Sequence, residues 1–145
     1  MFNYFYNMIK KFFFFILFIF TFPHLIFCSN FYLVYNSPNF NIYISKKYKN
    51  GKLLINGKIE NLYYVPLIDI TGYVEAISDK KIIEKKEFFI SYLGQWEDQD
   101  SKKDFKIIFS NGAKIQKLKF TINFSYASWK ESSNNYEYFT IKLHH

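Results

Sequence analysis

Hydrophobic residues from Asn30 onward alternate with polar ones at a period of two, which is typical of β-strands with one buried and one solvated face. The clearest segment is Lys117–Tyr126, where every second residue from Leu118 is apolar or aromatic and the residues between are Lys, Thr, Asn or Ser. Similar alternation predicts further strands over residues 40–45, 53–59, 68–76, 88–92, 105–109 and 139–143. The pattern therefore predicts about seven strands, and no segment after Asn30 has a helical period.

Turn signals separate the predicted strands. They are Asn50-Gly51, Val65-Pro66, Ser78-Asp79-Lys80, Leu93-Gly94 and Asn111-Gly112. Short strands at a spacing of roughly 8 to 12 residues, each with one polar face, are typical of an antiparallel sandwich or barrel. We predict a sandwich, because two sheets with polar outer faces would bury their inner faces against each other. One domain is expected over residues 30–145.

Alternation also predicts which side chains are buried. In the strand over residues 68–76 it places Ile68 on the same buried face as Ile70, and in the strand over residues 88–92 it places Tyr92 with Ile90.

Residues 1–29 are predicted to form a signal helix. Lys10 and Lys11 close a short basic region, and residues 12–22 form an apolar run that only Thr21 interrupts before Pro23. An apolar run of about 7 to 15 residues behind positive charge is typical of a secretory signal, whereas a membrane-spanning helix needs about 20 apolar residues. We therefore expect an extracytoplasmic location: periplasmic, cell-envelope or secreted.

The end of this segment leaves three interpretations open. Cys28 and Ser29 are the only small residues near its end, and we predict cleavage after one of them. Cys28 also allows lipid attachment, and the segment could instead be retained as an anchor. Cys28 is the single cysteine of the sequence, so no internal disulfide can form and the domain must depend on its core.

Composition supports a division of the chain into an N-terminal leader and one folded domain. The sequence has 145 residues, of which 50% are hydrophobic and 23% aromatic, so it is neither a disordered tail nor a multidomain enzyme. Of its 19 Phe, 10 precede Ser29, where they supply apolar bulk for export. All 19 basic residues are Lys and none is Arg. Because the guanidinium group is the favoured phosphate and base ligand, we expect no nucleic-acid partner.

A family resemblance covers residues 53–109. Ile55-Asn56-Gly57-Lys58-Ile59-Glu60-Asn61, then Pro66-Leu67 and the strand to Asp79, resembles the FxLYD-type immunoglobulin-like domain family of exported prokaryotic proteins. Leu93-Gly94-Gln95, followed by Asp104-Phe105-Lys106-Ile107, is similar to the turn and phenylalanine strand of that family. The resemblance implies an immunoglobulin-like β-sandwich on an exported protein, and it implies no catalytic residues.

Several residues of this segment also have structural interpretations. Gly57 and Gly72 would let a large neighbour or a facing backbone approach closely. Asn61 can turn the chain by bonding its own backbone. Pro66 sets the backbone at the start of the next strand.

No catalytic or metal site is predicted. The polar run over residues 96–104 has carboxylates at Asp98 and Asp100, but Lys102 and Lys103 occupy the places where a calcium loop needs an oxygen ligand and a Gly. We interpret the run as a solvated loop. Outside the leader the only His residues are the terminal pair His144 and His145, so a nucleophile has no ordered base. A carboxylate-only glycosidase is the remaining enzymatic alternative, and no cofactor is expected.

Aromatic residues are the candidates for recognition. Trp96, Trp129, Tyr63 and Tyr64 can either close the ends of the core or stack on a sugar or protein partner. Tyr136 and Tyr138 belong to the same group of exposed-ring candidates.

The positive charge persists beyond the leader, where 17 Lys oppose 12 acidic residues. The densest run is Lys46, Lys47, Lys49 and Lys52, which we interpret as protection of a strand edge. Attraction to anionic lipid or an acidic envelope polymer is the alternative.

These observations favour a non-catalytic immunoglobulin-like module for binding or structural interaction at the cell envelope. The expected partner is an unknown protein or glycan, with membrane contact only through the N-terminal segment if it is retained or lipidated. Alternatives are a carbohydrate-binding accessory module and a subunit or chaperone-like partner of an envelope assembly.

Overall fold

The computed structural model describes residues 30–127 and 134–143. In these residues there are eight β-strands and one short 3₁₀ turn, and there is no α-helix. The strands are β1 (Tyr32–Asn36), β2 (Phe40–Lys49), β3 (Lys52–Asn61), β4 (Leu67–Ser78), β5 (Lys81–Leu93), β6 (Lys102–Phe109), β7 (Lys117–Tyr126) and β8 (Asn134–Lys142). All seven predicted strands are present, and β1 is an additional one. The predicted signal helix lies outside the described residues.

The strands form two four-stranded antiparallel sheets. Sheet A has the order β1-β2-β3-β6 and sheet B the order β5-β4-β7-β8. The two sheets pack face to face through a core of inward-pointing aliphatic and phenylalanine side chains. This confirms the predicted antiparallel β-sandwich. No helix in the described parts of the chain is long and apolar enough to cross a membrane.

Two tight turns connect neighbouring strands at one end of the sandwich. Asn50 (φ 51°) and Gly51 (φ 75°) join β2 to β3, and Asp79 (φ 46°) and Lys80 (φ 63°) join β4 to β5. Positive φ at both central residues is typical of the type I′ turn, whose twist matches that of the flanking strands. Both turns lie where the sequence predicted them.

Inward-facing positions follow the predicted alternation along most strands. Leu53, Ile55 and Ile59 of β3 are fully buried, as are Leu118 and Phe120 of β7. The opposite faces of these strands carry mostly charged and other polar side chains, and Leu54 is an apolar exception. The burial of alternate side chains therefore confirms the period-two interpretation.

Two glycines and two phenylalanines form a stack that joins the sheets. Gly57 lies directly opposite Phe105 on β6, and Gly72 lies directly opposite Phe88 on β5. The two rings stack with centroids 4.0 Å apart and an angle of 5° between their planes. A Cβ atom at either glycine would overlap its partner ring, so the predicted close approach at Gly57 and Gly72 is confirmed.

The prediction for Ile68 and Tyr92 is wrong. Ile68 is only half-buried and Tyr92 is 43% exposed, whereas their neighbours Leu67 and Leu93 are fully buried. Asp69 adopts a positive φ of 52°, at the place where the register between β4 and β7 shifts. This β-bulge rotates the strand, so that alternation continues out of phase at the start of β4.

Candidate functional site

The two ends of the sandwich have different chemistry. At one end β1, β3, β5 and β7 finish and β2, β4, β6 and β8 begin. Three of the aromatic residues singled out in the sequence, Tyr63, Tyr64 and Trp96, lie here, and we call this the aromatic end. The opposite end carries the two type I′ turns, and we call it the hairpin end.

Buried Asn61 organises the aromatic end. Its Oδ1 accepts a hydrogen bond from the backbone N–H of Tyr63 at 2.8 Å, which is the predicted turn. Its Nδ2 donates to the carbonyl oxygens of Val65 at 3.0 Å and Gly94 at 2.7 Å. Because Gly94 follows β5 and Val65 precedes β4, one side chain fixes the two loops that carry the aromatic residues.

A backbone bond then places the aromatic residues side by side. The N–H of Trp96 donates to the carbonyl oxygen of Tyr63 at 2.8 Å. Tyr64 and Trp96 meet edge to face, with ring centroids 5.5 Å apart and an angle of 85° between their planes. The structure therefore brings together three predicted residues that come from two loops.

The three rings differ in exposure. Tyr63 packs on half-buried Tyr126, with ring centroids 5.4 Å apart, and so partly closes the end of the core. Tyr64 is 72% exposed and Trp96 is 40% exposed, so their rings face solvent. Trp129, which lies in the sequence between β7 and β8, is outside the described residues. Cys28, near the N-terminus, is also outside them.

The acidic run beside Trp96 is a solvated loop, as predicted. Glu97, Asp98 and Asp100 are all exposed, and the Asp100 carboxylate pairs with Lys103 Nζ at 2.6 Å. Within the described residues, no three Asp, Glu, His or Cys side chains converge on a point where they could hold a metal ion. His144 and His145 are not among those residues.

A polar network that the sequence analysis missed lies beside Tyr126. The Tyr126 hydroxyl donates to Asn39 Oδ1 at 2.7 Å, and Asn39 Nδ2 donates to Glu137 Oε1 at 2.5 Å. Burial, and then the neighbouring Glu137 carboxylate, raise the pKa of Tyr35 to about 12. Extending the period-two pattern of Phe139 back along β8 would have placed Glu137 on the inner face.

The outer face of sheet B carries exposed rings from three strands. Tyr136 (70% exposed) and Tyr138 (68%) lie on β8, Phe89 (63%) on β5 and Tyr73 (44%) on β4. We call this set the tyrosine face. The two β8 residues were candidates from the sequence, but Tyr73 and Phe89 were not, because only the strand order places all four on one surface.

A polar depression adjoins the tyrosine face. It is lined by Asp69, Asn123, Ser125, Asn134 and Tyr136, among others. Asp69 reaches this position through the bulge of β4, and the Ser125 hydroxyl donates to Asn134 Oδ1 at 3.2 Å. Carboxylate, amide and hydroxyl groups thus lie next to an exposed ring.

The outer face of sheet A is charged instead. Lys102 Nζ lies 2.8 Å from Glu60 Oε1, and the Tyr43 hydroxyl donates to Glu60 Oε2 at 2.9 Å. Burial opposes ionisation of Glu60, but the Lys102 and Tyr43 contacts outweigh it and lower the pKa of Glu60.

The lysine run of β2 lies in the second half of that strand. β1 pairs with β2 from Asn41 to Ile44, and the part of β2 from Ser45 to Lys49 pairs with β3. Protection of a strand edge by these lysines stays a prediction.

Comparison with solved structures identifies the fold class. The GAE domain of GGA2p from Saccharomyces cerevisiae is similar, with a TM-score of 0.55 and 16% identity over 78% of this chain and 96% of that domain. A GAE domain of yeast GGA1 gives a TM-score of 0.49, with 16% identity over 77% of this chain and 97% of that one. No protein-family model and no curated protein matches the sequence. The chain therefore contains an immunoglobulin-like β-sandwich, as predicted, and the likeness concerns the fold alone.

Proposed function

We propose that the chain is an exported, non-catalytic immunoglobulin-like module that binds a protein partner at the cell envelope through its aromatic end. The predicted signal segment and the resemblance to the FxLYD-type family support export. The exposed pair Tyr64 and Trp96 supports recognition, because Tyr and Trp dominate the binding energy of protein interfaces.

The observation that carries the proposal is the placement of this pair on hydrogen-bonded loops. Tyr64 and Trp96 contact each other, and Asn61 and the Trp96–Tyr63 backbone bond fix the loops beneath them. An interface residue that is already ordered loses little conformational entropy on binding. Exposed Glu97 and Asp98 beside Trp96 would provide an acidic rim and favour a partner with basic residues.

Site-specific photo-crosslinking in intact cells tests this proposal. A photoreactive phenylalanine analogue replaces Tyr64 in one variant. In a matched control it replaces Tyr138, which is similarly exposed but lies on the tyrosine face. We expect a defined envelope protein to be captured at position 64 and not at position 138. With that partner purified, Y64A and W96A should each weaken binding about tenfold or more, which corresponds to about 1.4 kcal/mol.

Two results would contradict the proposal. Equal capture at both positions would indicate non-specific contact. Unchanged affinity of the folded double variant Y64A/W96A would show that the aromatic end is not the interface. The intact mass of the protein isolated from its native cells tests the export part separately, because cleaved, lipidated and uncleaved chains differ in mass.

A carbohydrate-binding module is the second candidate, and the tyrosine face favours it. An exposed ring can stack on a sugar, and the adjacent Asp69, Asn123 and Asn134 side chains offer hydrogen bonds to its hydroxyl groups.

Titration of the protein with envelope polysaccharides tests this candidate. Y136A should abolish glycan binding while Y64A should leave it intact. Glycan binding that survives Y136A and N123A, or that is lost equally in Y64A, would exclude the tyrosine face as the site.

A further inference from the structure

The outer face of sheet A carries a cationic patch near the hairpin end. Lys49, Lys52 and Lys106 surround Leu54 and Ile108 in a shallow depression, and Asn50 completes its lining. These residues come together because they are outward-facing positions on adjacent strands, with Lys49 opposite Lys52 and Leu54 opposite Ile108. We call this set the lysine patch.

Among the described residues, no acidic side chain neutralises the charges of the lysine patch. In the described parts of the chain, none of Lys49, Lys52 and Lys106 has a carboxylate within 4.0 Å, whereas Lys102 and Lys85 pair closely with Glu60 and Glu75. The patch therefore concentrates three ammonium groups around an apolar floor. Ile108 is 46% exposed within it.

This combination complements an anionic lipid surface. Lysine side chains lay their methylene stems on apolar groups and extend their ammonium groups toward negative charge. An anionic bilayer attracts each lysine close to its surface by about fivefold in affinity. The exposed Ile108 and the partly covered Leu54 can contact the acyl boundary beneath the headgroups.

The apolar floor of the patch supports a bilayer over a soluble polyanion. A soluble polyanion offers negative charge alone, whereas the headgroup region of a bilayer can also accommodate the exposed Ile108 and the partly covered Leu54.

We propose that the lysine patch binds the surface of an anionic phospholipid bilayer. It adds a contact made by the folded domain to any contact made by residues 1–29. The proposal is independent of the partner at the aromatic end, because the two surfaces lie at opposite ends of the sandwich.

Vesicle co-sedimentation of the full chain, as purified, tests the proposal. Binding to vesicles of phosphatidylcholine with 30% phosphatidylglycerol is compared with binding to phosphatidylcholine alone. The variant K49Q/K52Q/K106Q should lose roughly 100-fold in partition to anionic vesicles. The control K85Q/K86Q/K119Q removes the same charge from sheet B, where these lysines pair with Glu75 and Glu84, and should lose less than about threefold.

A second variant separates insertion from simple charge attraction. I108S should weaken binding about fivefold at every salt concentration, because it removes apolar contact and no charge. Thermal unfolding of each variant confirms that it is folded.

Three results would overturn the proposal. Equal losses in both triple variants would show a dependence on net charge alone. Equal binding of the unmodified protein to anionic and neutral vesicles would show that lipid charge is not recognised. Binding to the soluble polyanion dextran sulfate without binding to anionic vesicles would assign the patch to an acidic polymer instead.

Discussion

At the scale of single residues, Asn61 connects two loops of the fold through its side-chain hydrogen bonds. The turn predicted at Asn61 is present, and the structure shows that the backbone N–H of Tyr63 is its donor. Such a turn can be predicted because an Asn side chain bonds the backbone close to it in sequence. The bond of Asn61 to Gly94, 33 residues away, could not be predicted because it depends on how the sheets pack. Substitution would therefore disturb two loops at once.

We expect N61A to lower the free energy of unfolding by about 2–4 kcal/mol, since it leaves the N–H of Tyr63 and the carbonyls of Val65 and Gly94 without their partner. N61D should also be destabilising, because it retains the acceptor but places a carboxylate against those two carbonyls. Urea denaturation measures both effects.

N123A provides the control for this prediction. Asn123 is exposed, so its truncation should change stability by less than about 0.5 kcal/mol. A loss in N61A no larger than in N123A would show that the amide does not hold the loops.

At the scale of elements, period-two alternation predicted seven strands and most of their buried faces. It failed at the start of β4, where the Asp69 bulge shifts the phase and buries Leu67 in place of Ile68. A bulge is set by the register of two distant strands, and no local pattern in β4 reveals it.

The glycine–phenylalanine stack predicts a coupling between strands. G72A should cost about 1–3 kcal/mol, because the new Cβ overlaps the Phe88 ring. In an F88L background the same change should cost less by at least about 0.5 kcal/mol, as a double-mutant cycle measures. T71A, on the outer face, is the control, and identical costs in both backgrounds would contradict the contact.

The two type I′ turns predict substitutions of opposite sign. K80G should stabilise the protein by about 0.5–1 kcal/mol, because the left-handed conformation of Lys80 is unfavourable for a residue with a Cβ atom, whereas Gly adopts it freely. G51A, at the corresponding position of the other turn, should destabilise it by about 1 kcal/mol. Thermal unfolding decides the outcome, and a destabilised K80G would contradict the turn assignment.

At the scale of the whole molecule, ionisable groups on both sheets set the pH range of stability. The hydrogen bond from Lys85 lowers the pKa of Glu75, and contacts with Lys102 and Tyr43 lower that of Glu60. A depressed carboxyl pKa stabilises the fold above the unfolded value of 4.5, and this contribution is lost as the pH falls below it. The folded state should therefore lose stability in acid.

Alkaline pH should destabilise the fold through Tyr35. Its pKa is raised from 10.0 to about 12, so the unfolded chain releases the proton first and stability falls as the pH rises between these values. Urea denaturation from pH 3 to pH 12 should show both losses. Y35F should reduce the alkaline loss, whereas Y138F, at an exposed position, should not; equal alkaline losses in the two variants would contradict this account.

The sequence by itself determined the strands, the tight turns and the sandwich, because alternation, positive-φ turn residues and facing hydrophobic surfaces are local or compositional properties. It also selected Tyr63, Tyr64 and Trp96. Only the tertiary structure decided that Asn61 holds together the two loops that carry these residues, that Tyr73 and Phe89 share a face with Tyr136, and that three lysines surround Ile108. Those groupings depend on which strands become neighbours, and strand order is fixed by long-range packing.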